Sequence, residues 1–87
     1  MKKHYAFIKF DEVPQKPGKL TKVWRVVSTQ DGTLLGGIKW FTNWRRYCFY
    51  PLPDMIFDEN CLWDIADFCS SETTSQKQDQ AARRAAR

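Results

Sequence analysis

Histidine is almost missing from this 87-residue chain: His4 is the only one. A lone imidazole near one end gives no Ser–His or Cys–His arrangement that spacing can support, so no catalytic residue and a non-enzymatic protein are expected. The three cysteines, Cys48, Cys61 and Cys69, stand thirteen and eight residues apart. Zinc ligands usually come in pairs about two to four residues apart, so neither a metal site nor a cofactor is expected. An odd set of unpaired thiols fits a reducing, cytoplasmic compartment. No apolar run approaches the roughly 18 residues of a membrane span. The start, MKKHYAFIKFDEV, has no apolar stretch or small-residue cleavage site of a secretion signal. Gly36-Gly37 lies inside a strand pattern and does not join a strand to a helix, so there is no phosphate-cradling loop. The chain is long enough for one small domain and too short for most enzymes with a deep cleft.

Lys and Arg are also missing from residues 51–72, which hold six acids: Asp54, Asp58, Glu59, Asp64, Asp67 and Glu72. Residues 1–50 carry ten Lys and Arg against three acids, and residues 73–87 carry Lys77, Arg83, Arg84 and Arg87 against Asp79. The net charge of +4 therefore conceals a basic body, an acidic segment and a basic tail. Such a distribution favours oriented docking on a partner over general adhesion to phosphate, although segregated charge on solvated surface has the same pattern. Aromatic residues make up 15% of the chain, enough to expect a folded core.

Periodicity predicts four strands and one helix. Tyr5–Phe10 alternates as a first strand, and residues 11–20, with Pro14, Pro17 and Gly18, read as a loop. Lys22–Ser28 is rich in β-branched and aromatic residues. Trp24 and Val26 point one way, and Val23, Arg25 and Val27 the other. Asp31-Gly32 marks a hairpin because glycine accepts positive φ. Leu34–Phe41 is the third strand, with a bulge or close backbone approach expected at Gly36-Gly37. Thr42-Asn43 is a tight turn, and Trp44–Tyr50 is the fourth strand, stopped by Pro51.

Asp58 is the expected N-cap of a helix over 58–70, with Phe57 and Leu62 at the spacing of a hydrophobic staple. Cys61, Leu62, Ile65, Phe68 and Cys69 form its apolar stripe, with Trp63, Asp64 and Asp67 off it. Residues 71–87 contain no large apolar side chain and read as a disordered or frayed basic tail. Ala81–Arg87 would become helical against an acidic partner. The expected architecture is α+β: a single domain over 1–70, with an antiparallel meander of three to four strands packed on one C-terminal helix.

Two surfaces are candidates for function. Trp63, Asp64 and Asp67 on the helix, with Arg83, Arg84 and Arg87 in the tail, suit a protein partner, because exposed tryptophan is a common interface anchor. Lys39, Trp40, Trp44, Arg45, Arg46 and Tyr47 interleave rings with cations, as single-stranded nucleic acid requires. The same residues also serve as ordinary cross-strand pairs in a hairpin.

The ordered set Leu35-Gly36-Gly37-Ile38-Lys39-Trp40, Trp44-Arg45-Arg46-Tyr47-Cys48-Phe49-Tyr50-Pro51, Phe57, Cys61-Leu62 and Asp64-Ile65-Ala66-Asp67-Phe68 resembles small proteins encoded by bacteriophages and prophages. It covers about residues 22–69. The resemblance implies a short phage protein made in a bacterial cytoplasm and brings no catalytic residue with it. The expected function is an accessory protein that binds a host or phage protein, of the host-takeover or counter-defence kind. The alternative is a single-stranded nucleic-acid binder using the hairpin 39–47. No membrane partner is expected, and the sequence leaves the oligomeric state open.

Overall fold

A computed structural model describes residues 7–85. The chain runs β1 (Ile8–Val13), β2 (Val23–Ser28), β3 (Leu34–Phe41), β4 (Arg46–Pro51) and α1 (Glu59–Ala85). The strands form one antiparallel sheet in the order β1-β2-β3-β4. This is the α+β meander the sequence predicts. β1 begins at Ile8 and takes in Asp11, Glu12 and Val13, three residues expected in the loop. It pairs with β2 from Ile8↔Ser28 to Val13↔Val23, so cross-strand hydrogen bonding carries the strand into its polar end. His4, Tyr5 and Ala6 lie outside the described residues.

The β2–β3 connection forms where Asp31-Gly32 predicts it. Gly32 has φ 76°, its N–H donates to the Ser28 carbonyl at 3.0 Å, and the Asp31 carboxylate accepts from the Thr33 N–H at 3.0 Å. Hydrogen bonds from Thr33 to the carboxylate hold the Asp31 carboxyl below its ordinary pKa. The β3–β4 turn is longer than expected. It spans 42–45, and Arg45 takes the left-handed conformation with φ 53° while its N–H donates to the Phe41 carbonyl at 2.9 Å. Trp44 and Arg45 therefore sit in the turn and not in β4.

The two adjacent glycines of β3 have different reasons. The register shifts between Val26 and Val27 so that Leu35 is the extra residue beside Gly36. A Cβ on Gly36 would lie 2.5 Å from the Tyr50 carbonyl oxygen and 2.7 Å from a Phe49 ring carbon. Gly36→Ala is expected to destabilise by about 1–3 kcal/mol through this overpacking, read as a lower urea midpoint. A loss under about 0.5 kcal/mol would show that the Phe49 ring moves aside freely. A Cβ on Gly37 would meet nothing nearer than the Trp24 carbonyl oxygen at 3.4 Å, an ordinary contact.

The face of the sheet that carries Ile8, Trp24, Val26, Ile38 and Tyr47 buries these residues against Ile65 of α1. Aromatic rings knit the layers together. Trp24 packs edge-on against Tyr47 and Phe68, with ring centroids at 5.1 and 4.9 Å, and Phe10 stacks on Phe68 at 4.0 Å.

The cap of α1 is where the sequence puts it: the Asp58 carboxylate accepts from the Cys61 N–H at 2.8 Å. Phe57 packs edge-on against Phe49 of the sheet, with centroids 5.3 Å apart, while Leu62 is half exposed. The cap hydrogen bond holds the Asp58 carboxyl below its ordinary pKa. A depressed folded-state value means the stabilisation is present above the unfolded value of about 3.9 and is lost as pH falls through the folded value. Wild type should therefore lose thermal stability more steeply than Asp58→Asn on acidification below about pH 4. Parallel slopes in circular-dichroism melts would contradict the cap's contribution.

Two expectations about α1 need correction. The buried line of the helix is Cys61, Ile65, Phe68, Cys69, Glu72 and Gln76, with Asp64 on its flank. Leu62 alone of the expected stripe departs from it: it is 50% exposed, while Asp64, expected off the stripe, is 5% exposed. Positions 61, 64 and 68 lie on one flank of a helix. Cys61 borders the same groove as Ile8, and Phe68 covers Phe10, so that flank turns towards β1 and takes Asp64 with it. The second correction is the tail. Residues 71–85, expected to be disordered or frayed, continue the helix. They dock by hydrogen bonds where large apolar side chains are lacking. Tyr47 N–H donates to Thr73 Oγ1 at 3.0 Å, and Gln76 Nε2 donates to the Leu20 carbonyl at 2.9 Å. The Tyr47 hydroxyl accepts from the Lys22 N–H at 3.0 Å and donates to Gln76 Oε1 at 3.4 Å. Burial raises the Tyr47 pKa, so the phenol stays a donor.

Candidate functional site: the outward face of the sheet

Strand alternation and register decide which side chains share the face turned away from α1. The pairings Asp11↔Arg25, Arg25↔Gly37 and Gly37↔Tyr50 form one row across all four strands. Lys9↔Val27 lies on one side of that row. Lys39↔Cys48 and Phe41↔Arg46 lie on the other. Among the described residues, the face thus carries four cations, Lys9, Arg25, Lys39 and Arg46, against one carboxylate, Asp11. Lys9 and Asp11 pair at 3.7 Å. Arg25, Lys39 and Arg46 are exposed. The Lys39 ammonium lies 4.4 Å from the centre of the Tyr50 ring, a cation–π arrangement. At the turn end, Phe41 and Trp44 meet edge-on at 4.8 Å, and Trp44 is 65% exposed.

The hairpin set 39–47 is therefore divided by the pleat. Lys39 and Arg46 lie on the outward face, and Trp44 and Arg45 lie in the turn at its rim. Trp40 and Tyr47 do not take part, since both point towards α1. Tyr47 is buried in the core, and Trp40 packs edge-on against it at 5.1 Å. The face recruits Arg25 and Tyr50, which sequence reasoning did not include. The signal for them was present, because Arg25 falls on the opposite parity to the buried Trp24 and Val26. Only the register across β3 brings Arg25 and Tyr50 into one row.

The helix set is dispersed further. Trp63 is 72% exposed, as a docking anchor requires. Asp64 is buried and cannot face a partner, and Asp67 is half-buried. Arg83 and Arg84 are exposed, but twenty helical residues at about 1.5 Å each place them roughly 30 Å from Trp63. Arg83 is also engaged with Asp79 at 2.8 Å. Arg87 lies outside the described residues. These residues do not make one site.

Among the described residues, no group of three or more His, Cys, Asp or Glu side chains is arranged to hold a metal. Burial pushes the Cys69 thiol up to about 11 and also raises that of Cys61, which keeps both as neutral, weakly nucleophilic thiols. All three cysteines are free. No described helix is long and apolar enough to cross a membrane.

Fold and face together define a small α+β protein: a four-stranded meander backed on one side by a long helix and, among the described residues, covered by no element on the other. No family model matches the chain, and no solved structure matches it. It is 31% identical over 62 residues to an uncharacterized 9.3 kDa protein of Acholeplasma phage L2, an alignment covering 71% of this chain and 80% of that protein. The chain belongs to the same family as that small phage protein.

Proposed function

We propose that this phage-type protein acts by binding and not by catalysis, and that its open sheet face takes single-stranded nucleic acid. One observation carries the reading: the outward row from Arg25 to Tyr50, with Lys39 and Arg46 beside it, combines exposed cations with an aromatic ring on a face that no other described element covers. Cations track a phosphate backbone, and rings stack on unpaired bases. The acids of α1 belong to the opposite side of the sheet, so the overall charge of +4 understates the positive character of this face.

The reading is tested by titrating a labelled single-stranded oligonucleotide with the protein and following fluorescence anisotropy at low and moderate salt. Binding that weakens steeply with salt supports it, with a log–log slope near −0.7 per phosphate contacted. Absence of binding at low salt removes it.

A second reading, an accessory protein that docks on a host or phage protein, is favoured by a separate observation: Ile56, Leu62 and Trp63 are all exposed around the start of α1. Tryptophan is enriched among interface anchors. On this reading Trp63→Ala abolishes capture of the partner and leaves oligonucleotide binding unchanged.

A further inference from the structure

We infer that Gly37 is the floor of a seat for one unpaired nucleobase, walled by Arg25 and Tyr50. The inference rests on the nucleic-acid reading of the sheet face and specifies where on that face a base would bind.

The two glycines of β3 provide the contrast. Gly36 is required by packing, because a Cβ there collides with Tyr50 backbone and the Phe49 ring. Gly37 is not. It has no positive φ, and a Cβ there meets only one atom, at 3.4 Å. Glycine in a strand interior also weakens the strand. Packing and backbone conformation leave this glycine unexplained. Its effect is to leave the outward row without a side chain between Arg25 on β2 and Tyr50 on β4.

The dimensions fit a base. Strands two apart in a sheet are separated by roughly 9.6 Å, twice the ordinary spacing. A base between two planar groups needs about 3.4 Å on each side, or roughly 7 Å in all. Arg25 and Tyr50 both present planar groups, a guanidinium and a phenol ring, and both stack well on bases. Lys39, whose ammonium lies over the Tyr50 ring at 4.4 Å from its centre, holds the place of the base in the free protein; a base stacking on Tyr50 displaces it from the ring, and the freed ammonium takes the phosphate of the same nucleotide. Asp11 lies opposite Arg25 on the far side, away from Gly37, so its carboxylate does not border the seat.

The test compares oligothymidylate with an abasic strand of the same length, on wild type and Gly37→Val. Valine favours the strand but fills the floor. Wild type is expected to prefer the strand with bases by roughly tenfold or more. Gly37→Val should lose that preference while retaining wild-type affinity for the abasic strand and an unchanged melting temperature. Tyr50→Ala serves as a second variant at a more exposed position and should lose the same preference, while Tyr50→Phe keeps it. If Gly37→Val and Tyr50→Ala both retain the preference, the seat is overturned and the nucleic-acid reading survives. If wild type binds both strands equally, the contacts are to phosphate alone and the seat is likewise overturned. If wild type binds neither strand, the reading of the face itself fails.

Discussion

Trp24→Ala is expected to cost about 3–5 kcal/mol, enough to bring the domain to the edge of unfolding. Trp24 is 5% exposed and lies on β2, one of the two inner strands. Its indole meets Tyr47 of β4 and Phe68 of α1 edge-on, so this ring, beside the Phe10–Phe68 stack, joins the sheet to the helix. Truncation removes the buried area, leaves a cavity and breaks two aromatic pairs together. Domains of this size have stabilities on the order of 5 kcal/mol, so little margin is left. Urea denaturation followed by circular dichroism measures the loss. A value below about 1 kcal/mol would mean that the helix does not depend on this contact. Trp40→Ala, at a half-buried position, should cost clearly less.

The second large effect belongs to the open face. Arg25→Glu combined with Lys39→Glu should weaken single-stranded binding by roughly a hundredfold or more. Each charge-assisted contact is worth about 1.5–3 kcal/mol, and about 1.4 kcal/mol corresponds to tenfold. The salt slope should also become shallower, because two fewer phosphates are neutralised. Both side chains are exposed, so the melting temperature should change little. Reversal of Arg83 and Arg84, on the last turns of α1, provides the control. An equal loss there would mean that charge acts through the whole molecule and not through the sheet face.

The elements that sequence could reveal are those governed by nearest neighbours. Asp31-Gly32 needs only a residue tolerant of positive φ, and Asp58 needs only a free N–H three residues on. The third strand was legible for the same reason, since its alternation is local. Where tertiary docking decides, the sequence was silent or misleading. Leu62 and Asp64 exchanged places because the angle at which a helix meets a sheet is set by what the sheet presents, here the Phe10 and Ile8 side of the core. Residues 71–76 looked unable to pack because they lack large apolar groups. Thr73 and Gln76 instead satisfy the backbone of β4 and the end of the β1–β2 loop. The hairpin 39–47 concealed its division because a turn of four residues, with Arg45 at φ 53°, cannot be told from a turn of two by composition. Arg25, Gly37 and Tyr50 lie far apart in sequence, and only their register makes them one row.

The contact between Gln76 and the Leu20 carbonyl joins residues 56 positions apart, whereas every strand pairing is between sequence neighbours. Loop-closure entropy therefore orders assembly: the meander forms from local hairpins, and the helix docks afterwards. Transient opening should run in reverse, with α1 lifting from a sheet that stays paired. Amide hydrogen exchange would then show β2 and β3 as the slowest unit and residues 77–85 as the fastest stretch of α1. The helix-facing side of the sheet would be briefly uncovered without loss of the outward row, so a ligand held on that row is expected to tolerate an undocked helix.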